Sequence, residues 1–469
     1  MEIKFGTDGW RGVIAREFTF ANLSTVAQAA MDYLHREGLA EKGLAIGYDR
    51  RFLSREFAER VAEIACGNGI RVHLGSCPAP TPAVSWGVHE LGVGAGVMIT
   101  ASHNPPVYNG FKVKESFGGS ALPKTTRALE EQVKANLRTK RQVLSLQLDT
   151  ALETGRVEQI DLQSSYMRQL GKYVDLELIR KAALPVIIDP MYGAGAGIIQ
   201  RLVPGIVEIH AEHNPLFGGS APEPTDEHLT ELAAQVKNGP YRIGLALDGD
   251  ADRIGAVDET GEFFSSHRIF TVLLRHLFER KGLSGGVVKT VSTTRMIDLL
   301  CRKFGLELFE TPIGFKHICE LMLEKDILMG GEESGGLGVK GHIPERDGIL
   351  MGLLLLEAMA ASGKGVRQLL EETMDEIGHF FFRRIDLSIE NDAKERLIAR
   401  LKAGGIGVIA GRQVAAENFR DGFKYILADG SWLLIRPSGT EPVLRLYSEA
   451  EDLRIVEELL SAGREIAGI

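Results

Sequence analysis

The sequence predicts an α/β protein of several domains that closes on a smaller α+β module. Three observations predict it. The chain has 469 residues, too many for one hydrophobic core, and domains of about 100–150 residues make three or four the expected number. Short apolar runs alternate with amphipathic helical stretches along most of it, the pattern of strands layered with helices. From Met374 the pattern turns strand-rich, MDEIGHFFFRRIDLSIEND, and continues through KYILADGSWLLIRPSGTEPVLRLYSEA to one amphipathic helix, EDLRIVEELLSAGREIAGI.

Taken in order, GLAIGYDRR from Gly43, PVIIDPMYGAG from Pro185 and GVVKTVSTTRMID from Gly286 share one plan. Each gives a short apolar strand, a polar or glycine-containing turn and a helix-like stretch, which fits one α/β unit used three times. LSLQLDTALETGRVEQID, from Leu144, is polar and loosely patterned and reads as a link. The expected divisions are residues 1–153, 154–253, 254–373 and 374–469. In the last, short strands flank an Asp-Gly turn at Asp429.

Composition excludes several classes. With 44% hydrophobic and 25% charged residues the chain reads as soluble and globular. A net charge of −9 argues against nucleic acid or an anionic membrane as main partner. The start, MEIKFGTDGW, lacks the basic-then-apolar order of a signal peptide. No apolar run reaches the roughly 18 residues of a membrane span, and GILMGLLLLEAMAA reads as a buried helix. Cys66, Cys77, Cys301 and Cys319 form no CxxC pair, so reduced thiols in a cytoplasm are expected.

Four constellations carry chemistry. In VMITASHNPPVYNGFKV an apolar run delivers Ser102 to a loop that Pro105 and Pro106 keep from being helical. That places the serine at the exposed carboxyl end of a strand, where open sheets bind ligands. A hydrolase nucleophile would want Gly-x-Ser-x-Gly, which is absent; a turn-forming serine is the plain alternative. ALDGDADR sets Asp248, Asp250 and Asp252 at alternate positions with small residues between. Such carboxylates repel unless a hard cation or water answers them. Mg²⁺ is the expected ion. A calcium hand is the rival, with Glu259 at position 12, but position 6 is Arg253 rather than glycine. A solvated turn is the third possibility.

GGEESGG gathers glycines around Glu332, Glu333 and Ser334, as either an acidic turn or a set of hydrogen-bonding groups for sugar hydroxyls. IRPSGTEPVLR puts Arg436, Ser438, Gly439 and Thr440 on one loop, a fork and donors suited to phosphate. It is not a P-loop, and GAGAG at Gly193 fails the dinucleotide fingerprint because residue 198 is Ile198.

In this order the four pieces resemble the α-D-phosphohexomutase family of phosphoglucomutases and phosphomannomutases, over the whole chain. The opening FGTDGWRG, with Asp8 and Arg11, is similar to that family's first active-site loop. The resemblance implies four domains around a central cleft, three similar α/β domains with mixed sheets and a C-terminal α+β lid. It implies that Ser102 carries a phosphoryl group beside Mg²⁺ held by Asp248, Asp250, Asp252 and a phosphoserine oxygen. It also implies that a hexose monophosphate passes through a bisphosphate, glucose 1,6-bisphosphate for a glucose enzyme, which also serves as activator. Lys112, His103 and Arg11 stand as candidates for proton transfer, and a structural loop contact is the alternative for His103. Arg436, Ser438, Gly439 and Thr440 resemble the clamp on the unreacting phosphate; Glu332 and Ser334 resemble the sugar contacts. Thr311, Gly314, Phe315 and Lys316 in TPIGFK resemble a further sugar loop, and Arg253 and Lys289 match cleft-lining positions. The motif loops carry Arg11, Lys112, Arg253, Lys316 and Arg436, so a basic cleft in an acidic shell is expected to steer sugar phosphates inward. Hexose phosphates are the expected partners of a monomer or homodimer.

Glu333, Gly336 and Phe315 fit the glucose-type loops better than the dual-specificity form, and Glu333 argues against the glucosamine form. Conversion of glucose 1-phosphate to glucose 6-phosphate is therefore expected, with a phosphomannomutase or dual-specificity mutase as alternative. A bisphosphate synthase, a metal-dependent phosphatase and a non-catalytic sugar-phosphate binder rank behind these. Arg346 in PERDG stands where some glucose-type members have lysine; arginine does not readily lose a proton, so no catalytic role is assigned to it.

Overall fold

The computed structural model describes residues 3–6, 9–438 and 442–469. The chain forms two compact units, one of Met1–Gly285 with Gly314–Leu369, the other of Gly286–Ile313 with Leu370–Ile469. There are four domains, with mixed α/β sheets and a C-terminal antiparallel sheet domain.

In the first unit a six-stranded sheet runs in the order Trp10–Val13, Tyr108–Glu115, Ala95–Ile99, Leu44–Tyr48, Val72–Gly75, Val157–Ile160. The central Leu44–Tyr48 strand pairs in parallel with both neighbours, and all five of its residues are buried. A strand covered on both faces has no polar side to show, which is why LAIGY reads as a continuous apolar run. The helix Phe20–Arg36 starts on a Thr19 cap that accepts from the Asn22 amide, and it buries Leu23, Val26, Ala27, Ala30, Met31 and Leu34. That spacing is one helical face, each large side chain of which contributes about 1.5–3 kcal/mol when fully buried.

A second sheet orders Phe263–Phe264, Ile254–Asp258, Ile243–Leu247, Val186–Asp189 and Val207–Glu208. Two boundaries therefore need correction. Val157–Ile160 pairs with Val72–Gly75 in the first sheet, beyond the division at 153. Ile254–Asp258 is the antiparallel partner of Ile243–Leu247, beyond the division at 253. Composition shifts mark loops, whereas pairing across a hairpin holds a sheet together through them. The helix Gly348–Ser362 begins on Asp347, which accepts from the Leu350 amide, and every residue from Gly348 to Met359 is buried. No single helix among the described residues is long and apolar enough to cross a membrane.

The second unit holds the parallel pair Gly286–Thr290 and Leu308–Thr311. It also holds an antiparallel sheet ordered Phe381–Ser388, Val443–Ala450, Trp432–Pro437, Phe423–Leu427, Arg412–Asn418, Val408–Ile409. Lys424 sits on this sheet with its side chain buried, donating to the Val291 carbonyl at 2.7 Å, its ammonium 4.2 Å from the Trp432 ring centroid. Burial, then the charge of Lys289, lowers its pKa to about 8, against the pull of Glu310, Asp298 and Glu449. A lysine lowered on folding binds fewer protons in the folded chain between that value and its unfolded one, so stability rises with pH across the window. Lys424→Met removes the effect. The stability advantage of the variant over wild type, measured by urea unfolding, is expected to shrink by up to about 3 kcal/mol from pH 7.5 to 10. A gap that does not change with pH would contradict a depressed Lys424.

Candidate active site

The site grows from the end of the strand Ala95–Ile99. Ser102 takes a left-handed backbone, φ 53°, a conformation uncommon for a residue with a Cβ and costly unless its surroundings impose it. Its amide donates to Thr100 Oγ1 at 2.9 Å, and Thr100 Oγ1 in turn donates to Asp49 at 2.6 Å. Arg51 lies beneath the loop. Its guanidinium donates to the carbonyls of Ser102, Asn104, Pro105 and Tyr108, with Asp49 3.2 Å from its Nε. A planar fork that spans four carbonyls fixes the loop as no single-point cation could. Arg11 donates to the Asn104 side chain from the neighbouring strand Trp10–Val13. The serine is not at an exposed strand end as the sequence suggested: it is 1% accessible. The prolines keep the loop non-helical, but Arg51 folds it back over itself.

What covers Ser102 is the acidic loop. Ser102 Oγ donates to Asp248 Oδ2 at 2.7 Å. Asp248, Asp250 and Asp252 are fully buried, and one oxygen from each lies within 4.8 Å of the others. Full burial excludes the solvated turn. The loop joins two antiparallel strands, Ile243–Leu247 and Ile254–Asp258, so it is no calcium hand, which needs helices on both sides. Lys112 donates to Asp250 at 2.8 Å and Asp252 at 3.0 Å; Thr81 donates to Asp250 through both its hydroxyl and its amide. Burial pushes Asp250 up, but the Lys112 ammonium and the Thr81 hydroxyl hold it well below the ordinary carboxylate range. Asp248 goes the other way: burial, then repulsion from Asp250 and Asp252, raises it well above that range. Three carboxyl groups packed this closely ionise unequally, and protein donors do not reach all of their oxygens. Asp250 Oδ1 and Asp252 Oδ1 are buried without a hydrogen-bond partner. Orphaned carboxylate oxygens in an all-oxygen cluster fit a hard divalent cation such as Mg²⁺.

Around this centre the other candidates fall into place. His103 Nδ1 is 3.4 Å from Ser102 Oγ. Burial, then Arg253, Arg11, Lys112 and Arg51, push its imidazole well below the ordinary histidine value, so it is neutral at pH 7. Arg253 gives its amide to Asp248 and lies 3.5 Å from Glu223, which is 4.0 Å from His103 Nε2. Arg346 joins the trio directly, its Nη2 2.7 Å from Asp252 Oδ2, with Glu332 3.8 Å from Nη1. Glu332 is buried, its carboxyl raised by that burial, and it accepts from the Gly314 amide at 2.9 Å. Ser334 and Lys316 are half-buried.

Two residues used to read the sugar have another duty. A Cβ on Gly336 would lie 2.3 Å from Arg346 Cδ. The Phe315 ring is buried, 5.7 Å beneath the Arg346 guanidinium. Both serve to seat Arg346.

In the second unit Lys289 is buried against Asp298, with Glu310 at 3.9 Å, and Thr311 is buried with its hydroxyl on the Pro312 carbonyl. Arg436 donates to Asp421 at 3.0 Å; the Ser438 carbonyl accepts from Lys394 at 3.2 Å. Gly439, Thr440 and Asp8 lie outside the described residues. Sequence reasoning missed Arg51, Thr81 and Glu223. Arg51 had a signal, since charge directly after a fully buried strand demands a partner; Glu223 had a weaker one, a carboxylate between Pro222 and Pro224.

Comparison with known proteins matches four consecutive stretches of the chain. These are Phosphoglucomutase/phosphomannomutase alpha/beta/alpha domain I over residues 2–140, domain II over 164–261, domain III over 265–377, and the C-terminal domain over 392–465. A "Phosphoglucomutase/phosphomannomutase" of Thermococcus kodakarensis is 29% identical across 98% of this chain and 97% of its own. A "Probable phosphoglucosamine mutase" of Methanothermobacter thermautotrophicus is 30% identical across 95% and 94%. The crystal structure of a "putative phosphomannomutase" from Thermus thermophilus is 35% identical, covers 100% of both chains and superposes with a TM-score of 0.86.

Proposed function

The chain belongs to the phosphoglucomutase/phosphomannomutase family of α-D-phosphohexomutases, which are intramolecular phosphotransferases, and we propose that it interconverts α-D-glucose 1-phosphate and glucose 6-phosphate through phosphorylated Ser102. The observation that carries this reading is Ser102 Oγ resting 2.7 Å from Asp248 in a buried carboxylate trio. Asp248, Asp250 and Asp252, with a Ser102 oxygen, would hold Mg²⁺, which when bound supplies positive charge for phosphoryl oxygens.

The residues divide the work. The left-handed Ser102 backbone and the Arg51 fork hold the phosphoryl group in one place, the positioning that phosphoryl transfer asks for. In the first half-reaction the bond from phosphorus to Ser102 Oγ breaks and a bond to the free sugar hydroxyl forms. The hydroxyl proton passes to the neutral amine form of Lys112, whose Nζ lies among the same carboxylates, and the ammonium so formed gives it to the Ser102 Oγ that the phosphoryl group leaves. Glucose 1,6-bisphosphate then turns over and gives its other phosphoryl group back to Ser102. Glu332 and Ser334 would hold sugar hydroxyls, and Arg436, Ser438, Gly439 and Thr440 the unreacting phosphate. Arg346 keeps its charge throughout and answers Asp252 and Glu332. The four cysteines are free, three of them buried, which supports a reducing cytoplasm as the location.

The test is turnover of glucose, mannose and glucosamine 1-phosphates, each with Mg²⁺ and a trace of the matching bisphosphate. kcat/KM for glucose 1-phosphate is expected to lead by about tenfold or more, a difference of about 1.4 kcal/mol in transition-state binding. A lead for mannose or glucosamine would keep the phosphoserine mechanism and overturn the sugar assigned from Glu333.

A further inference from the structure

Outside the site, the strand Val186–Asp189 ends on a small charged cluster. Asp189 is buried. Its carboxylate accepts the Met191 amide at 2.7 Å and faces His210 Nδ1 at 2.9 Å. The far side of the imidazole meets Glu231 at 3.3 Å, and its face lies 4.8 Å from the Tyr192 ring. The Tyr192 amide donates back to the His210 carbonyl at 2.8 Å. Met191, Tyr192 and His210 all hold left-handed backbones, at φ 48°, 59° and 48°. Three such residues with side chains, closed on one another by these bonds, make a turn held against its own preference.

The turn leads straight to the acidic loop. A Cβ on Gly193 would lie 2.8 Å from the Gly249 carbonyl and 2.9 Å from that of Asp248, and the Ala194 amide donates to Gly249 at 2.9 Å. A Cβ on Gly249 would in turn lie 2.5 Å from the Ser102 carbonyl. Three backbones are thus stacked through two glycines, with the His210 cluster behind them.

We propose that His210 is a positioning residue for the metal-binding loop: its hydrogen bond to Asp189 holds the turn Met191–Ala194, which sets the Asp248–Gly249 peptide and so the aim of the Asp248 carboxylate. The inference rests on the proposed metal role of the trio. It concerns the affinity of the trio for the ion, so it is read without any sugar.

The test is Mg²⁺ binding to the full chain by isothermal titration calorimetry for wild type, His210→Ala, His210→Asn and Gly193→Ala. Asparagine tolerates the left-handed region and its amide reaches toward Asp189 as Nδ1 does. His210→Ala is expected to weaken Kd for Mg²⁺ about fivefold, less than loss of a partner bonded directly to a ligand, and His210→Asn to restore it to within about twofold of wild type on the same scale. Gly193→Ala, which drives a methyl at the same carbonyls, is expected to weaken it as well and covers the case in which His210→Ala does not fold. Unchanged affinity in both alanine variants overturns the inference while leaving the metal reading intact. Loss in His210→Ala with no recovery in His210→Asn overturns the hydrogen-bond link. Failure of wild type to bind Mg²⁺ overturns the metal reading and this inference together.

Discussion

Replacing Ser102 with alanine is expected to lower mutase kcat by on the order of 10⁴-fold or more, the scale at which a covalent nucleophile is lost. The fold should survive. Alanine inherits the same unfavourable φ of 53°, so backbone strain does not change between the two. What is lost is the bond from Ser102 Oγ to Asp248, leaving a buried carboxyl short of a donor at a cost of about 1–3 kcal/mol. The raised pKa of Asp248 limits that cost, because a protonated carboxyl makes a smaller demand on its surroundings. Turnover should therefore vanish at a temperature where circular dichroism shows the variant folded. Intact-mass spectrometry after incubation with glucose 1,6-bisphosphate should find one phosphoryl group on wild type and none on the variant. Turnover within about tenfold of wild type, or a phosphoryl group on the variant, would remove Ser102 from the reaction.

How far the sequence reaches is uneven, and the reasons are physical. Ser102 and the Asp trio were legible because each is a local anomaly. A polar residue at the end of an apolar run, and three carboxylates where one would suffice, cannot be explained by packing. The strands LAIGY and VIID were legible for the opposite reason, since burial on both faces leaves no other pattern. What the sequence hid were long-range partners. Nothing in GYDRR announces that Arg51 spans four carbonyls more than fifty residues away. The sequence assigns Arg346 no role, whereas the structure shows a cation seated on Phe315 and admitted by Gly336. Those two neighbours had been taken as sugar markers, because a motif cannot say whether a residue touches the ligand or the residue that does. The two misplaced domain boundaries have the same origin: strand pairing is a property of space, and composition is a property of the chain.

The Lys112→Met variant is expected to lose several kcal/mol of stability, and to show most of that loss only without a divalent ion. Lys112 contacts Asp250 and Asp252 at 2.8 and 3.0 Å from a fully buried position. Removing one partner of a buried ion pair leaves uncompensated charge at a cost of about 3–5 kcal/mol, far more than the pair itself contributes. In chelator the variant should unfold at markedly lower urea than wild type. Saturating Mg²⁺ should recover most of the difference, since an ion bound by the carboxylates answers the same charge and stabilises the state that binds it. Mg²⁺ is then expected to raise the unfolding midpoint more in the variant than in wild type, and the inequality is the informative quantity. Equal shifts in the two proteins would mean that Lys112 and the ion do not share the charge of the trio. Activity separates the second role. If Lys112 carries the hydroxyl proton, the Mg²⁺-loaded and fully folded variant should still lose about 10²–10⁴-fold in kcat, the usual contribution of general acid–base catalysis. Recovery of activity together with stability would leave Lys112 as a counter-charge alone and move proton transfer to His103, whose neutral imidazole lies 3.4 Å from Ser102 Oγ, since Arg11 does not readily lose a proton.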